Sequence, residues 1–329
     1  MLRNRSNLLT TKILNSIPKS IKPIEYLIKI LNISKESAYR RLRGEIPFTF
    51  GEMSKLSLDL DFSMDELIEK PGESRVLVSM QTTLDEDPST QFLKRFEQYY
   101  KFLLHLEEYP NTEIVFALNT VPVITSVFFK NLFKFFYFKW LHKNHEASLK
   151  LNYSAVIIPD EVEELRKKVR FCTANCANKV TMILDSGFFS SLVKEIQYFH
   201  KRRLINDEDF ESLKKDVLEF VDLLENSAQT GIFGQNTKMN IYLSSMDIEA
   251  NTAHAKYNGK ETSFIYAFSI NPVSITNPAI GETHKRWINS VKKYSTLISK
   301  SNEMLQTEYF DRQREFINSP TNDNFIQLY

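Results

Sequence analysis

Residues 34–43 set Ser34, Lys35, Glu36, Ser37, Tyr39, Arg40, Arg41 and Arg43 around two aliphatic side chains, Ala38 and Leu42. Wound as a helix at roughly 100° per residue, Ala38 and Leu42 share one face, with Ser34 and Lys35 beside them. Glu36, Ser37, Arg40 and Arg43 then point roughly the other way, and Tyr39 and Arg41 flank that outer face. The chemistry on offer is charge pairing with phosphate oxygens and hydrogen bonding to base edges in a major groove. A small residue such as Ala38 on the inner side permits the close approach to a preceding helix that a tight two-helix crossing requires. Lys35, Glu36, Ser37, Tyr39, Arg40, Arg41 and Arg43 are therefore the candidate contacts to double-stranded DNA.

Charge is distributed in keeping with that use. Residues 1–47 hold ten basic groups (Arg3, Arg5, Lys12, Lys19, Lys22, Lys29, Lys35, Arg40, Arg41, Arg43) against three acidic ones, and the balance reverses over 48–70, with two basic and six acidic. A basic leading face backed by an acidic rear suits docking on a polyanion. The whole chain is nearly neutral, with 42 basic and 41 acidic side chains. That excludes a protein that coats nucleic acid along its length, but not one with a local patch.

Other reactive residues lead nowhere as definite. Cys172 and Cys176 lie four apart and His142 and His145 three apart, a set from which a metal site can be imagined. Structural zinc sites use tighter cysteine loops, so buried thiols and partly exposed histidines are expected, with no metal. Asp185-Ser186-Gly187 is either a small-anion site at a helix N-terminus or a simple cap by Ser186. Gly231-Ile232-Phe233-Gly234 reads as a loop, and Lys201-Arg202-Arg203 as a solvated helix end. The chain has no phosphate-binding glycine loop, no Gly-x-Ser-x-Gly elbow and no His-Glu-x-x-His helix, so neither catalysis nor a cofactor is expected.

The elements that must position the 34–43 face can be read in turn. A first helix spans 8–17 and stops at Pro18. Pro23 opens a second, with Ile24, Leu27, Ile28 and Leu31 at helical spacing. Ser34 caps the third, and Gly44 ends it as a C′ glycine. Thr49 caps a fourth whose inner face carries Met53, Leu56, Ser57 and Leu60. Ser63 caps a short fifth at 64–68, with Glu66 completing a capping box.

The run Ile33-Ser34-Lys35-Glu36-Ser37-Ala38-Tyr39-Arg40-Arg41-Leu42-Arg43-Gly44-Glu45 resembles the recognition helix and exit of phage-repressor-type (Xre/Cro-like) helix-turn-helix domains. Phe62-Ser63-Met64-Asp65-Glu66-Leu67 is similar to that family's closing helix. The resemblance implies an all-helical DNA-binding domain over 1–70 with its third helix in the major groove, and it implies transcription regulation by a homodimer. Asn32 stands where the family's turn usually has glycine, a place asparagine tolerates because it accepts a left-handed φ. Arg41 stands where many members have an apolar residue, with Leu42 taking over that packing.

Beyond it a linker is expected at 71–88, in which 76–84 reads either as a strand or as part of an ordered connection, and then a larger α/β domain over 89–329 for dimerisation, effector sensing or both. Helices are expected at 91–108, 123–143, 159–174, 188–203, 207–225, 282–299 and 302–318. Strands are expected at 113–118, 180–184, 239–243, 253–257 and 263–270, with Asn258-Gly259 as a hairpin turn. The overall class is α+β, an all-α first domain followed by a mixed α/β one. Phe128, Phe129, Phe133, Phe135, Phe136, Tyr137, Phe138 and Trp140 surround the 123–143 helix, which reads as core, or as the wall of a ligand pocket or interface. Lys130, Lys134 and Lys139 punctuate this stretch and argue against a membrane span. With two cysteines, no disulfide framework and no signal peptide at the start, a cytoplasmic protein is expected. Arg286-Trp287-Ile288, the 294–299 segment and Phe310-x-x-Gln313 resemble the ending of uncharacterised two-part regulators common in Bacteroidetes-type bacteria, which implies no particular ligand. The alternative is a small-molecule-binding or enzymatic α/β protein with a helical protein-interaction appendage.

Overall fold

The computed structural model describes residues 2–17, 21–60, 62, 64, 86–109, 111–144, 150–175, 178–267, 271–275 and 277–319. The chain divides into two compact units, Met1–Val78 and Ser79–Tyr329. The division falls within the expected 71–88 linker. The strand expected at 76–84 and all but Met64 of the helix expected at 64–68 lie outside the described residues.

The first unit is all helical: α1 (Leu2–Ser16), α2 (Pro23–Leu31), α3 (Lys35–Leu42) and α4 (Phe50–Asp59). Leu9 and Ile13 of α1, with Ile17 just beyond it, repeat every fourth residue and bury against Tyr26, Leu27, Leu31, Ala38, Phe48, Leu56 and Phe62. Local chemistry sets the helix boundaries. Pro23 supplies a fixed φ at the start of α2. Ser34 Oγ accepts the Ser37 amide at 3.2 Å. Thr49 and Glu52 form a reciprocal capping box on α4. The Tyr26 hydroxyl donates to Asp59 and so ties α2 to the end of α4.

The second unit is a mixed α/β fold. Its elements are α5 (Pro88–Glu107), β1 (Glu113–Leu118), a 3-10 turn (Val123–Phe128), α6 (Lys130–Asn144), α7 (Asp160–Asn175), β2 (Lys179–Leu184), α8 (Ser190–Lys201), α9 (Asp207–Thr230), β3 (Ile232–Phe233), β4 (Thr237–Ser244), β5 (Thr252–Tyr257), β6 (Lys260–Ala267), β7 (Asn271–Ile275), α10 (Pro278–Lys293), β8 (Ser295–Leu297) and α11 (Glu303–Asn318). The sheet runs β3-β4-β2-β1-β5-β6-β7, with β8 pairing β4. β1, β2 and β4 are parallel, and helices carry the chain back between β1 and β2 and between β2 and β4, as parallel pairing demands. β5, β6 and β7 continue the sheet antiparallel. Asn258 (φ 47°) and Gly259 (φ 72°) form the hairpin turn between β5 and β6. Period-two alternation splits the strands between two cores. Phe116, Leu118, Met182 and Leu184 face the large aromatic core, while Ala117 and Ile183 meet Ile288 and Val291 of α10 on the other face.

Three expectations need correction. The helix expected at 123–143 is a 3-10 turn followed by α6, because Phe129 is extended (φ −123°, ψ 118°). The Thr125 and Ser126 hydroxyls bond back to Pro122 O at 2.7 Å and Val123 O at 2.6 Å, and Asp216 accepts the Leu132 amide at 2.8 Å, so α6 begins afresh. The helix expected at 282–299 ends at Lys293, and its last residues form β8, whose Leu297 pairs with Tyr242. The strand expected at 263–270 begins earlier, at Lys260, and is described as far as Ala267, residues 268–270 lying outside the described residues; the further strand β7 was not expected. Leu132, Phe133, Phe135, Tyr137, Phe138 and Trp140 of α6 are buried on several sides, so this helix is core. Among the described residues, no helix is long and apolar enough to cross a membrane.

Candidate nucleic-acid interface

The link from α2 to α3 is three residues, Asn32, Ile33 and Ser34. Asn32 is left-handed (φ 54°, ψ 49°), and its amide donates to Ile28 O. That residue turns the chain sharply enough for α3 to fold back on α2 without a glycine. Ala38 has no solvent exposure where it packs in the shared core, and the half-buried Leu42 packs beside it. Gly44 (φ 74°) closes the exit from α3.

With Ala38 inside, α3 turns Lys35, Glu36, Tyr39, Arg40 and Arg43 to solvent. Glu36, Arg40 and Arg43, with Tyr39 flanking them, lie outside as expected from the sequence, whereas Lys35, expected beside the inner face, is also exposed. Arg43 lies over the Tyr39 ring, 5.8 Å from its centroid, so the phenol steadies the guanidinium. Arg40 and Arg43 approach the Glu45 carboxylate at 3.5 Å and 3.7 Å, all three well exposed. Pairs of that kind hold loosely and exchange readily for a phosphate. Sequence reading did not single out Glu45 as their neighbour.

Two expected contacts sit differently. Arg41 turns inward: its Nε and Nη2 donate to Glu52 at 3.0 Å and 2.7 Å, and its side chain is only 12% exposed. Burial pushes the Glu52 carboxyl up, but the Arg41 guanidinium and the Thr49 amide outweigh it and hold the group below the usual carboxylate range. Ser37 is half-buried, and its Oγ accepts from Arg41 Nη1. Arg41 and Ser37 thus brace α3 against α4 instead of joining the exposed face. The signal was in the sequence: Thr49-x-x-Glu52 is a capping-box pattern, and it holds a carboxylate where Arg41 reaches it. Of the other basic groups in this unit, Arg3 and Arg5 have undescribed side chains.

Several of the remaining candidates have partners within the protein. His142 Nε2 bonds with Leu151 O at 3.0 Å, and the ring packs on Phe138 and Phe199. Cys172 is buried, while Cys176 and His145 lie outside the described residues. Among the described residues, no three potential ligands gather as a metal would need. The Gly187 amide donates to Asp185 Oδ1 at 2.7 Å, so the protein's own carboxylate occupies the anion position considered there. α8 starts only at Ser190, which leaves Ser186 uninvolved in its capping. No protein-family model matches the chain, and no curated protein matches it.

Proposed function

We propose that this protein is a sequence-specific DNA-binding transcription regulator whose α3 enters the major groove. The observation that carries the reading is the two-sidedness of α3. A fully buried alanine packs it on α2 across a left-handed asparagine turn, and Lys35, Glu36, Tyr39, Arg40 and Arg43 face solvent. Arg40 and Arg43 are the base-edge and phosphate readers, Lys35 and Tyr39 flank them, and Glu36 discriminates among bases by accepting from an exocyclic amine or repelling phosphate. Arg41 and Ser37 set the angle at which α3 is presented.

The larger unit pairs two copies, senses an effector, or both, so that two α3 helices meet half-sites one helical turn apart. Such a protein acts in the cytoplasm on chromosomal DNA and performs no catalysis. Selection of duplexes from a randomised pool tests the reading. Enrichment of a motif with two related half-sites about 10 base pairs apart is expected. A pool that stays random after repeated rounds would overturn it.

A further inference from the structure

The second unit has a partly open cavity of about 440 Å³ between α5, α6, α8 and the β1-β5-β6-β7 side of the sheet. That places it among ligand-sized pockets, which run from roughly 300 to 1,000 Å³. Phe96, Phe102, Phe136 and Phe264 give it aromatic walls. Of the cations on its lining, Lys139 and Arg95 are in opposite situations. Lys139 is ion-paired with Glu195, so its charge is matched within the protein. Arg95 is not matched. Its guanidinium carbon lies 5.3 Å from the centroid of the Trp140 ring. Its Nε is fully buried without a hydrogen-bond partner, and no carboxylate among the described residues pairs with it. Desolvation alone holds its pKa below the ordinary arginine value.

A guanidinium Nε buried without an acceptor is unfavourable, and Arg95 keeps one although the residue as a whole is only half-buried. The surroundings nonetheless hold it in position. Trp140 Nε1 donates to Pro88 O at 2.7 Å, and Tyr137 donates to Ser89 Oγ at 2.7 Å. Both bonds lock the start of α5 onto α6 and keep the indole face under Arg95. Aromatic walls leading to a guanidinium with no carboxylate partner among the described residues match a ligand with an apolar body and a planar anionic head, since the arginine fork pairs carboxylate two-to-two.

We infer that this cavity binds an apolar carboxylic acid, its carboxylate on Arg95 and its tail against the phenylalanine walls. A role for this site in controlling DNA binding is part of the proposal. That role as an effector site rests on the regulator reading above, whereas the binding site itself does not.

Calorimetric titration of the full-length protein without DNA tests it, using decanoate and naphthoate as probes for an aliphatic and an aromatic tail, with decanol and naphthol as uncharged counterparts. At least one acid is expected to bind saturably, about tenfold or more tighter than its alcohol. Arg95→Gln is expected to bring acid affinity down to that of the alcohol while leaving alcohol binding and the melting temperature in place, and Arg95→Lys to recover part of the preference. Three results would overturn the proposal: neither acid binding, acid and alcohol binding equally, or Arg95→Gln or Arg95→Lys keeping the full acid preference in folded protein. A chain that binds acid yet ignores every duplex would sink the regulator reading and leave the pocket standing.

Discussion

Arg40, Arg41 and Arg43 lie within four residues of one helix, yet they do different work. Arg41 is spent on Glu52 in a two-pronged, nearly buried pair, so Arg41→Ala strands a carboxylate beside α4. Its removal is expected to cost roughly 1–3 kcal/mol in urea unfolding, with Arg41→Lys recovering little because a single ammonium cannot make both bonds. Arg40→Ala and Arg43→Ala touch only exposed, loosely held pairs, and are expected to shift stability by less than about 0.5 kcal/mol. Helical periodicity placed both Arg40 and Arg43 outside correctly. It could not place Arg41, which sits at the margin between faces, because a long side chain there goes wherever its counter-ion lies, and Glu52 is on another helix. At Asn32 the backbone decides instead. With φ at 54°, Asn32→Gly is expected to be tolerated and Asn32→Val to cost about 1–2 kcal/mol, both read by thermal melting.

At the scale of elements, the legible features are those whose causes are local in sequence. Asn258-Gly259 announced its hairpin, Ser34 and Thr49 their helix starts, and alternation the strand 113–118, because each depends on residues a few positions apart. The break at Phe129 lies inside a largely apolar stretch with no proline or glycine to mark it, and the group that starts α6 afresh lies on α9. Asp216 accepts the Leu132 amide at 2.8 Å and Asn131 Nδ2 at 3.2 Å, which stabilises the N-terminus of α6 by hydrogen bonding and by charge against the helix dipole. Asp216→Ala is expected to lower stability by about 1–2 kcal/mol in denaturant melts, and Asp216→Asn by less. β7 and β8 escaped for a related reason: they are short additions to edges that already exist, and pairing partners rather than their own patterns make them strands. Gly234 belongs here too. It is left-handed (φ 61°), and a Cβ on it would lie 2.1 Å from Ala174 O. Gly234→Ala is accordingly expected to destabilise the β3-β4 turn by more than about 1 kcal/mol.

Across the whole molecule, two histidines on the α10 side of the sheet couple stability to pH. His254 Nδ1 and His284 Nδ1 both contact Ser263 Oγ, at 3.1 Å and 2.8 Å. Burial pushes both imidazoles down, and the nearby Glu261 only partly offsets this for His254. The folded protein therefore keeps them neutral, while the unfolded chain takes up protons below about pH 6.5. Stability is fully present above that value and is lost as pH falls below it, towards the depressed folded-state pKa values. Urea unfolding between about pH 7 and pH 5 should show this decline. Replacing both histidines with Gln should flatten it, and an unchanged slope would remove these residues as its cause. The same scale holds the boundary of what could be read. The helical unit, its exposed face and the break near residue 78 follow from patterns within single segments. The Arg95 cavity joins residues from 95 to 274, and no periodicity links them.

The most direct test of the central claim is duplex affinity measured against salt, for the wild-type protein and the Arg40→Ala/Arg43→Ala double variant on a selected site. The wild type is expected to bind selectively, with log K falling steeply against log salt by about 0.9 for each phosphate contacted. The double variant, still folded, is expected to lose selectivity and to show a slope shallower by roughly 1 for each phosphate contact removed. Absence of any duplex affinity at low salt, or a double variant indistinguishable from wild type, would contradict the assignment of α3 as the DNA-reading helix.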